Sequence, residues 1–300
     1  MKFIALLLGL LIERWSTDLF NLGEIRWLDG YFDRGMRIVG RVGGWPGALV
    51  ALLVVLVPVL PVAWVAFAFS DVLWGVVYVA FAVVVLLFSL GPRDLSTEVE
   101  DFVVAIRTGD ELRARNVARE LLETDPPQDT SRRSLAIEEA VFVQSNNRSF
   151  AVILWFIVFG PAGAWLFRVT DLMRRRAFFE AERARERDEP RPRYVEAVQR
   201  LHGVLAWLPS RVVALTFALA GSFEPAVSDW RDYYRDCSDH FFEVNEEIVA
   251  CAGMGALGPP SERSNDEVAA SAEAAMGLVH RSQLIWVVAI AVLTAIGAAA

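Results

Sequence analysis

The sequence predicts an all-α, polytopic helical membrane protein with broken or re-entrant helices and cytoplasmic helical loops. Three observations carry this. Apolar residues make up 55% of the 300 residues, high for a soluble chain. They are gathered into blocks separated by charged loops, and the longer blocks match the ~20 residues that cross a ~30 Å hydrocarbon core as a helix. One block, Phe150 to Val169, is broken in its middle by Gly160-Pro161-Ala162-Gly163, and it is flanked by Asn146, Asn147 and Arg148 before and by Asp171 and Arg174 to Arg176 after. A proline removes a backbone donor and glycines let backbones approach closely. The break with polar lips reads either as a site at membrane depth or as a kinked span with interfacial anchors.

The chain reads as a single membrane domain, 1–300, with apolar segments 3–12, 45–69, 72–90, 150–169, 204–221 and 283–300. Phe3 to Ile12 resembles a signal-peptide core, but Glu13-Arg14-Trp15 follows where a small-residue cleavage site belongs, so the run is expected to be retained as a short or shallow helix. Glu13 to Gly44 is polar, with Trp15, Trp27 and Tyr31 as interfacial anchors. Trp45 to Phe69 is the clearest span, kinked at Pro58 and Pro61, and a turn at Ser70-Asp71 returns the chain through Val72 to Leu90. The tip of this hairpin has no basic residue, whereas Arg34, Arg37 and Arg41 lie on one outer flank and Arg93 and Arg107 on the other. The positive-inside rule puts both flanks in the cytoplasm.

The loop 91–149 is expected to hold helices at Thr97 to Arg107, at Asp110 to Glu123 with Asp110 as N-cap, and at Arg132 to Asn147. In the loop 170–203, Phe178 to Arg193 alternates in charge and reads as a solvated helix stopped by Pro190 and Pro192. If Phe150 to Val169 crossed fully, nine arginines from Arg174 to Arg200 would land in the periplasm. Two paths answer this: a re-entrant one turning at Gly160-Pro161, or a full crossing with Val204 to Ala220 crossing back. The re-entrant path is preferred, because irregular backbone at membrane depth is tolerated when protein surrounds it. Val204 to Gly221 is apolar except for Arg211, with Pro209 near its start. An arginine there costs roughly 2.5–3.5 kcal/mol on insertion scales unless it snorkels or pairs, so Arg211 is either a site residue or a snorkelling anchor. The loop 222–282 is expected to carry helices at Trp230 to Arg235, His240 to Cys251 and Asp266 to Val279, with a turn region over Gly253 to Pro260.

Composition excludes several chemistries. The net charge is −8, and no loop interleaves basic and aromatic residues, so nucleic acid is not an expected partner. The sole lysine, Lys2, leaves no usual P-loop. No GxSxG, HExxH or CxxC occurs, and Cys237 and Cys251 have neither zinc nor redox spacing. Glu138-Glu139 and Glu246-Glu247 are adjacent, which on a helix turns them about 100° apart rather than into an acid–base pair. No metal, cofactor or catalytic residue is therefore expected.

Two stretches together, FVQSNNRSFAVILWFIVFGPAGAWLFR and RLHGVLAWLPSRVVALTFALAG, resemble the AmpE family, as do the opening FIALLLGLLIERW and the closing EAAMGLVHRSQLIWVVAIAVLTAIGA. The resemblance implies a bacterial inner-membrane, multi-pass signalling modulator of β-lactamase induction, linked to cell-wall recycling and the antibiotic response. It implies action by binding, in the lipid bilayer, either a partner such as a cytosolic muropeptide amidase or a small ligand. The wider CobD/CbiB-like superfamily contains cobalamin-synthesis enzymes that attach aminopropanol, or its phosphate, to a corrinoid. Their acidic runs fall here on Val143, Gln144 and Asn147, on Asp171 to Arg174, and on His202 and Gly203, so most of the carboxylates are absent. Gly160, Pro161, Trp207, Pro209 and Arg211 are kept. The expectation is a scaffold without the chemistry. Asn146, Asn147, Arg148, Asp171 and Arg211 are expected to bind a ligand, and Gly160, Pro161, Gly163, Trp207 and Pro209 to shape the fold. A small-solute transporter is the third reading, although no matching pair of broken helices in inverted halves is visible.

Overall fold

The computed structural model describes residues 2–15, 28–69, 75–90, 95–236, 244–258 and 265–299. Every regular element among them is a helix: α1 (Lys2–Trp15), α2 (Asp29–Val42), α3 (Gly44–Ala68), α4 (Val76–Leu90), α5 (Leu95–Thr108), α6 (Glu111–Leu122), α7 (Thr130–Ser145), a π-helical turn (Asn146–Phe150), α8 (Ala151–Phe159), α9 (Pro161–Glu186), α10 (Arg193–Ala220), α11 (Phe223–Asp236), α12 (Asn245–Leu257) and α13 (Asn265–Ala299). Five helical stretches among the described residues are long and apolar enough to cross a membrane: Gly44–Ala68, Val76–Thr108, Arg132–Phe159, Arg193–Ala220 and Val268–Gly297. The protein is an all-α polytopic membrane protein. The Ser70-Asp71 turn, Trp27, Cys237 and His240 lie outside the described residues.

The chain forms two compact units. The first comprises 1–92, 151–207 and 291–300. Its core gathers Phe32, Met36 and Val39 of α2, Ala51, Val55 and Val59 of α3, Val169 and Met173 of α9, and Val198 of α10. On α3, Leu49, Leu53, Val57, Leu60, Trp64 and Phe67 are exposed. This outward apolar stripe is what lipid contact requires.

Within this unit, α3 carries Pro58 and Pro61 in its interior. Pro58 has no N–H to give the carbonyl four residues back, that of Val54. The Tyr31 hydroxyl donates to Val54 O instead, at 2.5 Å. The Trp165 indole N–H donates to Pro58 O at 3.1 Å. α10 repeats the device. Pro209 lies inside it rather than near its start, and the carbonyl it deprives, Leu205 O, accepts from Trp155 Nε1 at 3.0 Å. Aromatic donors thus occupy two carbonyls that proline leaves without a partner. Tyr31, expected as an interfacial anchor, serves this internal role. Tyr31→Phe is expected to lose about 1–2 kcal/mol, because it removes one hydrogen bond and strands a shielded carbonyl. Unfolding by denaturing detergent measures it.

The Gly160 break is a fold-back. Gly160 has φ +68°, and Pro161 occupies the first turn of α9, where its missing N–H costs nothing. α8 and α9 then pack against each other so closely that a Cβ on Gly163 would stand 2.2 Å from Trp155 O and 2.8 Å from Phe159 Cβ. Gly163→Ala is expected to lose about 3 kcal/mol or more, since backbone rather than a flexible side chain is in the way. Thermal unfolding in detergent checks it. The expected apolar segment 150–169 is therefore divided between two helices. The expected separate helix over Phe178 to Arg193 is instead the distal part of α9, which runs to Glu186 because no proline or glycine follows Gly163 before that point.

The second unit comprises 93–150 and 208–290. Its core contains edge-on aromatic pairs, Phe142 with Phe217 at 5.1 Å and Phe150 with Phe217 at 6.1 Å. Asp110 caps α6 by accepting from Arg113 N, and Asp129 caps α7 by accepting from Arg132 N. The turn region expected over Gly253 to Pro260 is corrected in part: α12 continues to Leu257, with Gly253 inside it. Gly253 is required by packing, since a Cβ there would lie 2.4 Å from Cγ of the Phe142 ring.

Candidate functional site

In the second unit, the helix after Ser145 widens into the π turn Asn146–Phe150. Such single turns recur at functional sites, because the widened backbone rotates side chains away from ordinary helical packing. Ser145 Oγ donates to Phe142 O at 2.7 Å just before it. Asn146, Asn147 and Arg148 are all buried here. Asn146 Nδ2 donates to Asn147 Oδ1 at 3.3 Å, and Asn147 Nδ2 donates to Glu246 Oε1 at 3.2 Å. Asn146 is 1% exposed, and its Oδ1 has no hydrogen-bond partner among the described residues. Buried acceptors are seldom left so, and each instance calls for an explanation.

Arg148 faces a carboxylate that sequence reasoning missed. Its Nη1 donates to Glu98 Oε2 of α5 at 2.8 Å, and its Nε to Gln144 Oε1 at 3.0 Å. Gln144 Nε2 in turn donates to Leu121 O at 3.2 Å and Glu123 Oε1 at 3.1 Å. The first turn of α12 supplies the remaining polar groups. Arg211 Nη1 donates to Asn245 Oδ1 and, at 2.9 Å, to Ser210 Oγ. Asn245 is next to Glu246, so Asn147 and Arg211 meet neighbouring residues of one helix end. Glu98 and Asn245 gave no sequence signal beyond being polar residues on helices, and Glu246 stood out only as one of two adjacent glutamates. Their place was fixed by long-range packing of α5 and α12.

Asp171 lies in the first unit, with its own partners. It is fully buried. Arg174 donates to its Oδ1 through Nε at 3.2 Å and Nη2 at 2.9 Å, and Arg175 Nε donates to Oδ2 at 2.8 Å. Arg168 Nη1 stands 3.5 Å from Oδ2, and His202 Nε2 3.9 Å from Oδ1. Burial by itself would raise the Asp171 pKa, but Arg175, Arg174, Arg168 and His202 outweigh it and hold the carboxyl well below its ordinary range. Two of the superfamily's acidic runs thus fall on residues that meet here, Asp171 and His202. Of the fold-shaping residues, Gly160, Pro161, Gly163 and Pro209 are buried, while Trp207 is 36% exposed. Among the described residues, no group of three His, Cys, Asp or Glu side chains is placed to hold a metal ion. A cleft between Glu111, Arg115, Pro126, Pro127 and Arg133 contains none of the expected site residues.

A family model described as the regulatory signalling modulator protein AmpE matches residues 1–300. The chain belongs to the AmpE family. Two cobalamin biosynthesis proteins named CobD are also similar to it. That of Chromobacterium violaceum is 30% identical over 225 residues, 75% of this chain and 66% of that protein. That of Stutzerimonas stutzeri is 30% identical over 206 residues, 67% of this chain and 62% of that protein. The match spans less than two thirds of the length of either relative. No solved structure matches the chain. Family membership and the candidate spans make this AmpE-family chain a multi-pass bacterial inner-membrane protein.

Proposed function

We propose that this chain modulates the bacterial response to β-lactams or cell-wall stress, acting by binding rather than by catalysis. Membership of a family described as a regulatory signalling modulator supports the general role. The single observation that favours binding is the buried, unpartnered Oδ1 of Asn146 in a π turn, within a cluster that includes Asn147 and Glu246. Such an acceptor is satisfied by an N–H or O–H donor from a ligand. Arg211 supplies a guanidinium at the same helix end. A small molecule with both donor and acceptor groups suits this lining, and a cytosolic muropeptide amidase is the proposed protein partner of the signalling step.

β-Lactamase induction in a strain lacking the chain tests the reading. Wild type is expected to restore normal induction, and Asn146→Ala to fail while accumulating in the membrane at wild-type levels. Equal restoration by both would overturn the assignment of the site. The second reading is a cobinamide-synthesis-like ligase, favoured by the 30% identity to CobD proteins. Turnover of a corrinoid and aminopropanol with ATP by the purified chain would replace the modulator with the enzyme.

A further inference from the structure

We propose that α2 is an interfacial helix that binds the phosphate headgroups of anionic phospholipids in the leaflet where α3 begins. Its inner face, Phe32, Gly35, Met36 and Val39, is buried. Gly35 lets it approach α3, since a Cβ there would lie 2.6 Å from Val54 Cγ1. The outer face is a single stripe: Arg34, Arg37, Ile38, Arg41 and Val42, spaced at three- and four-residue intervals and all exposed. Arg34, Arg37 and Arg41 form no ion pair among the described residues, and Arg37 makes one local bond from Nε to Asp33 O at 3.3 Å. The carboxylate that would neutralise the stripe is engaged elsewhere. Asp33 accepts from Arg176 Nε at 2.9 Å and from its Nη2 at 3.0 Å. That pairing also holds the Arg176 guanidinium's pKa above its ordinary value, first through the hydrogen bond to Asp33.

Placement identifies the partner. α2 ends at Val42, and only Gly43 separates it from the candidate span α3, so the arginine stripe is juxtamembrane by chain connectivity. Trp45, in the first turn of that span, is 51% exposed and stacks beneath the Arg200 guanidinium, 5.5 Å from its ring centre. Indole rings of this kind settle at headgroup level. Ile38 and Val42 flank the arginines and are each 52% exposed, which suits the acyl boundary beneath the headgroups. An aqueous anion would be served by the arginines alone. The aliphatic flank and the adjoining span select a lipid. Guanidinium groups bind phosphate oxygens bidentately, and a basic juxtamembrane helix gains affinity from each added charge.

The test uses the full chain, delipidated in a neutral detergent. Its melting temperature is followed while phosphatidylglycerol, phosphatidylcholine or free glycerol phosphate is added, and native mass spectrometry counts the lipids retained. Phosphatidylglycerol is expected to stabilise wild type and to be retained, with an effect that weakens as salt rises. The R34Q/R37Q/R41Q variant is expected to need about tenfold more phosphatidylglycerol, or beyond, for the same shift. The R34K/R37K/R41K variant keeps the charge and is expected to retain most of the response, which separates a charge effect from misfolding. A glutamine variant that responds as wild type does would overturn the proposal. So would equal stabilisation by phosphatidylcholine or by free glycerol phosphate.

Discussion

Asp171→Asn is expected to destabilise the protein by about 3–5 kcal/mol, the range for removing one partner of a buried charge network. The substitution is nearly isosteric, so the loss is electrostatic rather than steric. Asp171 is the carboxylate on which Arg168, Arg174 and Arg175 converge, and Arg168 and Arg174 are themselves buried. With a neutral amide in its place, buried guanidinium charge stays in a low-dielectric interior without that counter-ion. The pH dependence follows from the depressed pKa of Asp171. A carboxyl whose folded pKa lies below its unfolded value contributes fully above the unfolded pKa, about 4. The contribution is lost as pH falls through the folded value. The part of the gap between wild type and Asp171→Asn that comes from the titration of Asp171 itself is therefore expected to be constant from neutral pH down to about pH 5. It is expected to narrow only below about pH 4. Chemical unfolding in detergent at a series of pH values reads both parts. A gap that changed near pH 6 would assign the effect to another group.

The fold was legible where a local signal was strong. The apolar blocks gave the all-α polytopic class, Asp110 gave an N-cap, and Gly160-Pro161 gave the break. Ends set by packing were not legible. Nothing in the local composition of Phe178 to Arg193 says that its helix already began at Pro161. Gly253 looked like a turn residue because its real reason, the ring of Phe142, lies more than a hundred positions away. The same distinction governs the candidate site. The polar triplet Asn146, Asn147 and Arg148 stands out against the apolar run that follows it. Its counterparts Glu98 and Glu246 do not, since each sits in the first turn of its helix, where a carboxylate is ordinary. Gln144 shows this from the other side. It lies between Val143 and Asn147, the positions where the resemblance puts the enzymes' acids, yet the neighbourhood of Arg148 still has a carboxylate, brought in by α5.

Glu98→Gln tests whether that pair is structural, functional or both, and it carries the second large expected effect. Glu98 and Arg148 are 7% and 8% exposed. Neutralising Glu98 leaves Arg148 buried without its counter-ion and is expected to cost about 3–5 kcal/mol. The double variant Glu98→Leu with Arg148→Met removes both charges and is expected to regain most of that loss, because a hydrophobic pair avoids the desolvation penalty that the ion pair carries. Stability and signalling should then part. Arg148 is one helical turn from Gln144 and adjoins Asn147, which holds Glu246. If Arg148 contributes to ligand binding, the double variant will unfold like wild type and still fail to restore β-lactamase induction. Recovery of both properties would make the ion pair an element of packing alone and would confine the binding role to Asn146, Asn147 and Arg211. Glu98→Gln leaves a buried guanidinium uncompensated, whereas the double variant removes that charge, so a signalling defect that persists there traces to the missing guanidinium rather than to lost stability.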